Sequence, residues 1–420
     1  MEGLAGATYA FLQDPLHFLL FAAALAAGLV GGALPGLGAV LLSIIILPLT
    51  GSLSPQSTAT VFGALFIAGV AGHWAARTDH EWQHAQERGG FSVGHIVLAG
   101  VVSALLVLLF AEGTASYVFF GFKAPEMFGV AFCALATVAG VAARQGTQGW
   151  LSLLLGLLLG LSIEGPITDG PRYIFGTLEL LASISFVPLL VGFMVFPGAI
   201  QSIRKQPVSN ARQFPGRLIL TAATTNAALL PLVALGVPVS MGTVVLVAAM
   251  GLQGLEFGPL FIIEAEETAW ALFSAALWAS LLAPLIGNWL RILLSALQSI
   301  PASATGLALI LAATAGVYAM EARMIDVYIM FGAGLAGYLL CQQGYSLVII
   351  IMSIVLAQIV EPAYVGALGV LDGSPMELFG RPASAILIAS GLLAMAVGAF
   401  WGVGRESQPD ADSDGATEDE

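Results

Sequence analysis

Charge is what this sequence has least of: Asp, Glu, Lys and Arg make up 9% of its 420 residues, and only 13 of these are Lys or Arg. A chain of this length with so little charge cannot cover a soluble fold with polar surface. There is no basic patch to neutralise phosphates, which removes nucleic acid from the list of partners. Cysteine is nearly absent. Cys133 and Cys341 both lie in apolar runs and read as small buried hydrophobes, with neither a disulfide nor a metal pair implied. No basic residue precedes Arg77, so the positive leader of a cleaved export signal is missing and the first apolar span is expected to be retained.

What fills the chain is apolar: 58% hydrophobic residues and a mean hydropathy of +0.93. Apolar windows recur at 15–33, 35–50, 55–72, 93–111, 125–143, 147–163, 184–201, 216–235, 239–255, 268–296, 303–320, 323–341, 344–361 and 383–402. They predict an all-α, polytopic integral membrane protein with about 12 transmembrane segments, some of them broken or re-entrant. The windows 35–50 and 239–255 are short for ~30 Å of hydrocarbon, and 268–296 contains Pro284, which allows one kinked helix or two pieces. Arg204, Lys205, Arg212 and Arg217 crowd the central loop and place it on the cytoplasmic side. Counting spans back puts the loops with Arg144 and with Arg77 and Arg88 on that side too, and Lys123 and Arg172 outside. The chain thus divides into an N-terminal membrane half (1–201), a basic linker (202–217), a C-terminal membrane half (218–403) and an acidic, solvated tail (404–420).

Two interruptions organise these halves. In the first, Pro35-Gly36 sits in the middle of the apolar stretch Gly28–Thr50; in the second, Gly236-Val237-Pro238 does the same before Ser240. A helix does not run smoothly through either, and broken backbone at membrane depth survives only where protein packs it or a cavity receives it. Paired interruptions in corresponding halves predict two pseudo-repeated halves with a midplane site between them, the build of a carrier. Asn226 is the polar residue that stands out, because an amide inside an apolar run needs a partner; the bland reading is a helix–helix hydrogen bond. Ionisable residues are few. Glu112, Glu126, Glu164, Glu321, Asp326 and Glu361 fall at span ends, where exposure to water is expected, whereas Glu256 follows the second break.

One enzyme motif competes. His80-Glu81-Trp82-Gln83-His84 matches H-E-x-x-H, whose histidines share a helix face for zinc with the glutamate as general base. With Asp372 as a distant third ligand it describes an intramembrane zinc protease; with His73 it describes a peripheral metal site. The motif sits in a polar loop, Arg77–Arg88, where a solvated segment is the plainer reading. A non-transporting membrane scaffold is the third alternative.

The motifs, taken in order, resemble those of the large permease subunit of tripartite tricarboxylate transporters. Gly31-Gly32-Ala33-Leu34-Pro35-Gly36-Leu37-Gly38 with Leu47-Pro48-Leu49-Thr50 is similar to that family's N-terminal signature. Gly170-Pro171-Arg172-Tyr173-Ile174-Phe175-Gly176 with Glu179-Leu180, Thr225-Asn226-Ala227-Ala228, Leu235–Ser240, Gly254–Leu260 and Arg381–Ser384 follow in family order. Departures are Gly72-His73-Trp74 in place of a glycine- and proline-rich element, the missing second P-G element after the central loop, and Val239 in place of a glycine. The resemblance implies a non-enzymatic, multi-pass permease of the cell membrane that carries small carboxylates such as citrate. It implies no cofactor, Na+ as coupling ion, and two partners: a small membrane subunit and an extracytoplasmic solute-binding protein. On this reading the carboxylate is held by half-helix N-termini, free N–H groups, hydroxyls and an amide, with Gly36, Gly38, Thr50, Thr225, Asn226, Gly236 and Ser240 as candidates. Carbonyls at Pro35 and Pro238, with Glu256, are the candidates for the cation.

Overall fold

The computed structural model describes residues 14–76, 92–162, 186–203, 215–371 and 373–403. Among them every regular element is helical. The first stretch holds α1 (Pro15–Ala33), α2 (Gly38–Ile46, continued by a 3-10 turn Leu47–Ser52) and α3 (Pro55–Ala76). Then come α4 (Val93–Gly121), α5 (Ala124–Ala143), α6 (Gly146–Ser162) and α7 (Phe186–Ile203). After the central loop follow α8 (Pro215–Ala227), α9 (Leu229–Leu235), α10 (Met241–Leu252), α11 (Phe261–Glu264), α12 (Glu266–Trp289) and α13 (Arg291–Ala296). The chain closes with α14 (Ala302–Glu321), α15 (Met324–Gln342), α16 (Leu347–Val370) and α17 (Pro382–Val403). Nine of the described helices are long and apolar enough to cross a membrane, with shorter apolar helices between them. The chain is a polytopic, all-α membrane protein.

Local sequence explains the ends. Asp14 caps α1 by accepting from the Leu16 N–H at 2.9 Å, with Pro15 in the first turn. Leu34, held extended (φ −68°, ψ 136°) by the following Pro35, stops α1. Gly36 and Gly38 then take φ of 79° and 67°, which turns the chain back into α2. The long window 268–296, which allowed one kinked helix or two pieces, passes through Pro284 as helix and breaks later, at Leu290. Two expectations about span limits and one about charged residues needed revision. The window 216–235 is two helices meeting at Ala228, and α4 runs past 111 to Gly121, carrying an exposed Glu112. Glu126 and Asp326, expected in water, are buried and paired: Glu126 with Arg381 at 2.7 Å and Asp326 with Arg323 at 2.9 Å.

Two compact units are formed, each drawing on chain from before and after the central loop. The smaller contains α5, α6, α16 and α17. In it α5 lies along α17, Gly391 against Cys133 and Gly398 against Gly140, while Gly156 and Gly160 of α6 press on the Ile350 and Ile354 carbonyls of α16. These glycines are there for close helix approach. Cys133 and Cys341 are half-buried thiols.

The larger unit is built around α3, 83% of whose apolar window is buried, more than in any other spanning helix. α1 runs parallel to it through a glycine seam: Gly28 meets Ala68, Gly32 meets the Gly69 carbonyl, and Gly72 meets the Leu29 carbonyl. On another side α12 runs the same way, with Gly63 against Leu272 and Ala275, and Gly287 against Ala75. A Cβ at position 32 or 72 would collide with backbone, which cannot move aside as a side chain does. Gly32→Leu and Gly72→Leu should therefore each destabilise the detergent-solubilised protein by about 1–3 kcal/mol in thermal unfolding. Gly51→Ala, which faces open space, should change stability by less than ~0.5 kcal/mol.

Candidate functional site

Both interruptions break their helices, and α3 brings the broken ends together. The added Cβ of Gly69 would lie 2.6 Å from the Cβ of Ala39, so the first turn of α2 rests on that point of α3. The Phe66 ring, one turn earlier on α3, fills the space beside Gly242 in the first turn of α10. The two short helices thus start on adjacent turns, midway along α3. They also finish together. The Gln253 amide, just past α10, donates from Nε2 to the Thr50 carbonyl at 2.9 Å and to Thr58 Oγ1 at 3.3 Å. Hence α2 and α10 lie side by side and point the same way, with both N-termini at one level and both C-termini at another.

The two starts differ in how their backbone is satisfied. At α10, Ser240 Oγ accepts from the Thr243 N–H, while Thr243 Oγ1 accepts from the N–H groups of Val239 (3.1 Å) and Ser240 (2.9 Å). This closed capping box follows Gly236 (φ 73°), over which the Phe257 carbonyl sits 2.6 Å from where a Cβ would be. At α2, Leu37 provides no side-chain cap, and a Cβ on Gly38 would meet nothing within 4 Å, so the space it would occupy is open. On the carbonyl side the first break is filled: Gln298 donates to the Ala33 oxygen at 2.8 Å and Thr305 to the Pro35 oxygen at 3.1 Å. Half-exposed Val239 forms the rim next to Ser240.

The other candidates lie elsewhere. Thr50 is fully buried at the far end of α2, about 20 Å along the helix from Gly38 at 1.5–2.0 Å per residue, and its hydroxyl donates to the Leu47 carbonyl. Asn226 is buried on a different face of α3: its Nδ2 donates to the Gly100 carbonyl (3.1 Å) on α4 and to Ser280 Oγ (2.9 Å) on α12. Its Oδ1 has no hydrogen-bond partner. Thr225 donates to the Thr221 carbonyl and lines a cavity of about 20 Å³ with Trp74, Gly100 and Ser280. That holds a water-sized probe, against the ≈ 300 Å³ or more of an ordinary ligand pocket. Glu256 is exposed in the turn after α10. His80, Glu81, His84 and Asp372 lie outside the described residues, as does the 170–180 motif; among the described residues no group of three His, Cys, Asp or Glu is placed to hold a metal. Sequence reasoning missed Gln253, Gln298 and Thr305, which reach the breaks from distant segments, and Thr243, which the S-x-x-T spacing after Ser240 announced.

A polytopic helical protein whose two interrupted helices meet inside one bundle has the architecture of a secondary carrier. The chain belongs to the Tripartite tricarboxylate transporter TctA family, whose model matches residues 92–220 and 219–352. It is 23% identical over 460 residues to an uncharacterised 52.8 kDa protein in the TAR-I ttuC' 3' region of Agrobacterium vitis, across 88% of this chain and 90% of that one. A second Agrobacterium vitis protein, from the TAR-II ttuC' 3' region, is 27% identical over 176 residues, or 41% of this chain and 71% of the other. No solved structure matches.

Asn226 and Ser280 share one buried hydrogen bond, so their truncations should not be additive. Asn226→Ala should cost about 1–3 kcal/mol of stability, and the double variant with Ser280→Ala should fall short of the sum by at least ~0.5 kcal/mol in a double-mutant cycle of thermal unfolding.

Proposed function

We propose that this chain is the permease subunit of a cell-membrane carrier for small organic anions, tri- or dicarboxylates, driven by a cation gradient. One observation carries the reading: α2 and α10 begin on adjacent turns of α3 and run the same way, so their N-terminal dipoles add at one place. Each such end is worth roughly half a positive charge, and the first turn of α2 has no side-chain cap. A carboxylate is the ligand that such a place suits. Gly36, Gly38 and Ser240 are the residues we assign to it, with Gly236 shaping the second turn. Thr50, Thr225 and Asn226 support it from outside, as parts of the helix packing that holds the two starts in register. The family's tripartite organisation supports a small membrane subunit and an extracytoplasmic binding protein as partners.

The test uses two substitutions of one size. Gly38 is left-handed, a conformation that Asn and Asp both tolerate. Gly38→Asn should keep citrate counterflow in proteoliposomes measurable. Gly38→Asp puts a like charge within ~4 Å of the bound carboxylate, a repulsion of about 4 kcal/mol at an effective dielectric of 20, and should cut counterflow by at least about tenfold. Equal rates would remove the α2 start from the site. Replacing external sodium with choline identifies the driving ion.

A further inference from the structure

The polar residues at the other end of α3 form a chain that the anion site does not use. Asp14 Oδ2 is 2.7 Å from His17 Nδ1, and His17 Nε2 is 3.3 Å from Ser57 Oγ, whose residue is 3% exposed. Ser54 Oγ, on the exposed lip of α3, donates to Ser57 Oγ at 2.9 Å. The donors can be assigned. A carboxylate only accepts, so Nδ1 carries a hydrogen toward Asp14 and Nε2 of the neutral ring accepts from Ser57. Hydrogen bonds from the His17 ring and the Leu16 N–H hold Asp14 below the usual carboxylate range, so it stays charged. The next acidic group comes from α12: Glu267 accepts from Gln56, the residue before Ser57, at 3.0 Å.

We propose that His17 is a proton-binding site of the carrier, loaded from water through Ser54 and Ser57. A proton arriving on Nε2 reverses the chain: Nε2–H donates to Ser57, the Ser57 hydroxyl turns to Ser54, and the Ser54 hydroxyl turns out to water. Each serine gives up one hydroxyl hydrogen and takes another from the group before it, so the net change is one N–H bond at Nε2, made with a proton from water, and Asp14 balances the added charge. The site is coupled to the half-helices by position. Thr58, the residue after Ser57, is fully buried and faces the Thr50 carbonyl, on which Gln253 also converges. A positive charge here lies by the negative ends of α2 and α10, the same two helices whose positive ends face the anion. This deepens the carrier reading and rests on it for the coupling, not for the proton site.

Two measurements on the full-length protein separate the claims. With 13Cε1-histidine labelling and no substrate present, the signal absent from His17→Gln should respond to a change of bulk pH; Ser57→Ala should alter that response, and His95→Gln should leave it in place. Calorimetry of citrate binding in buffers of different ionisation enthalpy should then show more protons taken up by wild type than by His17→Gln, by reciprocal linkage. A His17 signal that does not respond to pH, or equal proton uptake in wild type and His17→Gln, overturns the proposal. Failure of citrate to bind either protein counts against the substrate reading alone, and the histidine titration then decides the proton site.

Discussion

A peptide group left without a partner inside an apolar bundle costs several kcal/mol, and this constraint governs how the two breaks are built. Each break frees acceptors at the end of one helix and donors at the start of the next. At the first break the acceptors are covered from afar: Gln298 takes the Ala33 carbonyl and Thr305 the Pro35 carbonyl. At the second, Gly236 turns its own N–H back to the Leu232 carbonyl, and the Ser240–Thr243 box covers the donors that follow. The start of α2 differs: no side chain caps it, and the space beside Gly38 is open, which is why we propose this end for the anion.

The arrangement depends on α3 being a stiff common wall. Glycines let α1 and α12 lie against its backbone, and Ala39 and Gly242 fix the heights at which the short helices begin. Gln253 then ties their far ends to one carbonyl. Two helices pinned at both ends against the same neighbour respond to load together. On the proposed reading, an anion at one end and a positive charge at the other would act on the same pair of dipoles with the same sign.

Much of this was legible in the sequence because it rests on local chemistry. Pro35 and Pro238 cannot continue a helix, glycine is the residue for a left-handed turn, and the apolar windows fall within a few residues of most of the helices. What could not be read depends on partners far along the chain. Nothing near Glu126 announces Arg381, and nothing near Asn226 announces Gly100 or Ser280, 126 and 54 residues away. At Pro284 the local rule left one kinked helix or two pieces open, and the chain passes through it as helix, since neighbouring helices can absorb one lost hydrogen bond in a bundle.

Backbone in place of arginine at the proposed anion site would suit what a carrier must do. A guanidinium fork holds a carboxylate with two charge-assisted bonds, and Arg323 and Arg381 are each held by a carboxylate of the protein, Asp326 and Glu126. A binding partner must be released on the opposite side of the membrane at every cycle, so a hold that strong would slow exit. Helix N-termini offer about half a charge each and a few N–H groups of fixed direction. That is enough to discriminate an anion from a neutral molecule, and weaker than a guanidinium fork, so release costs less.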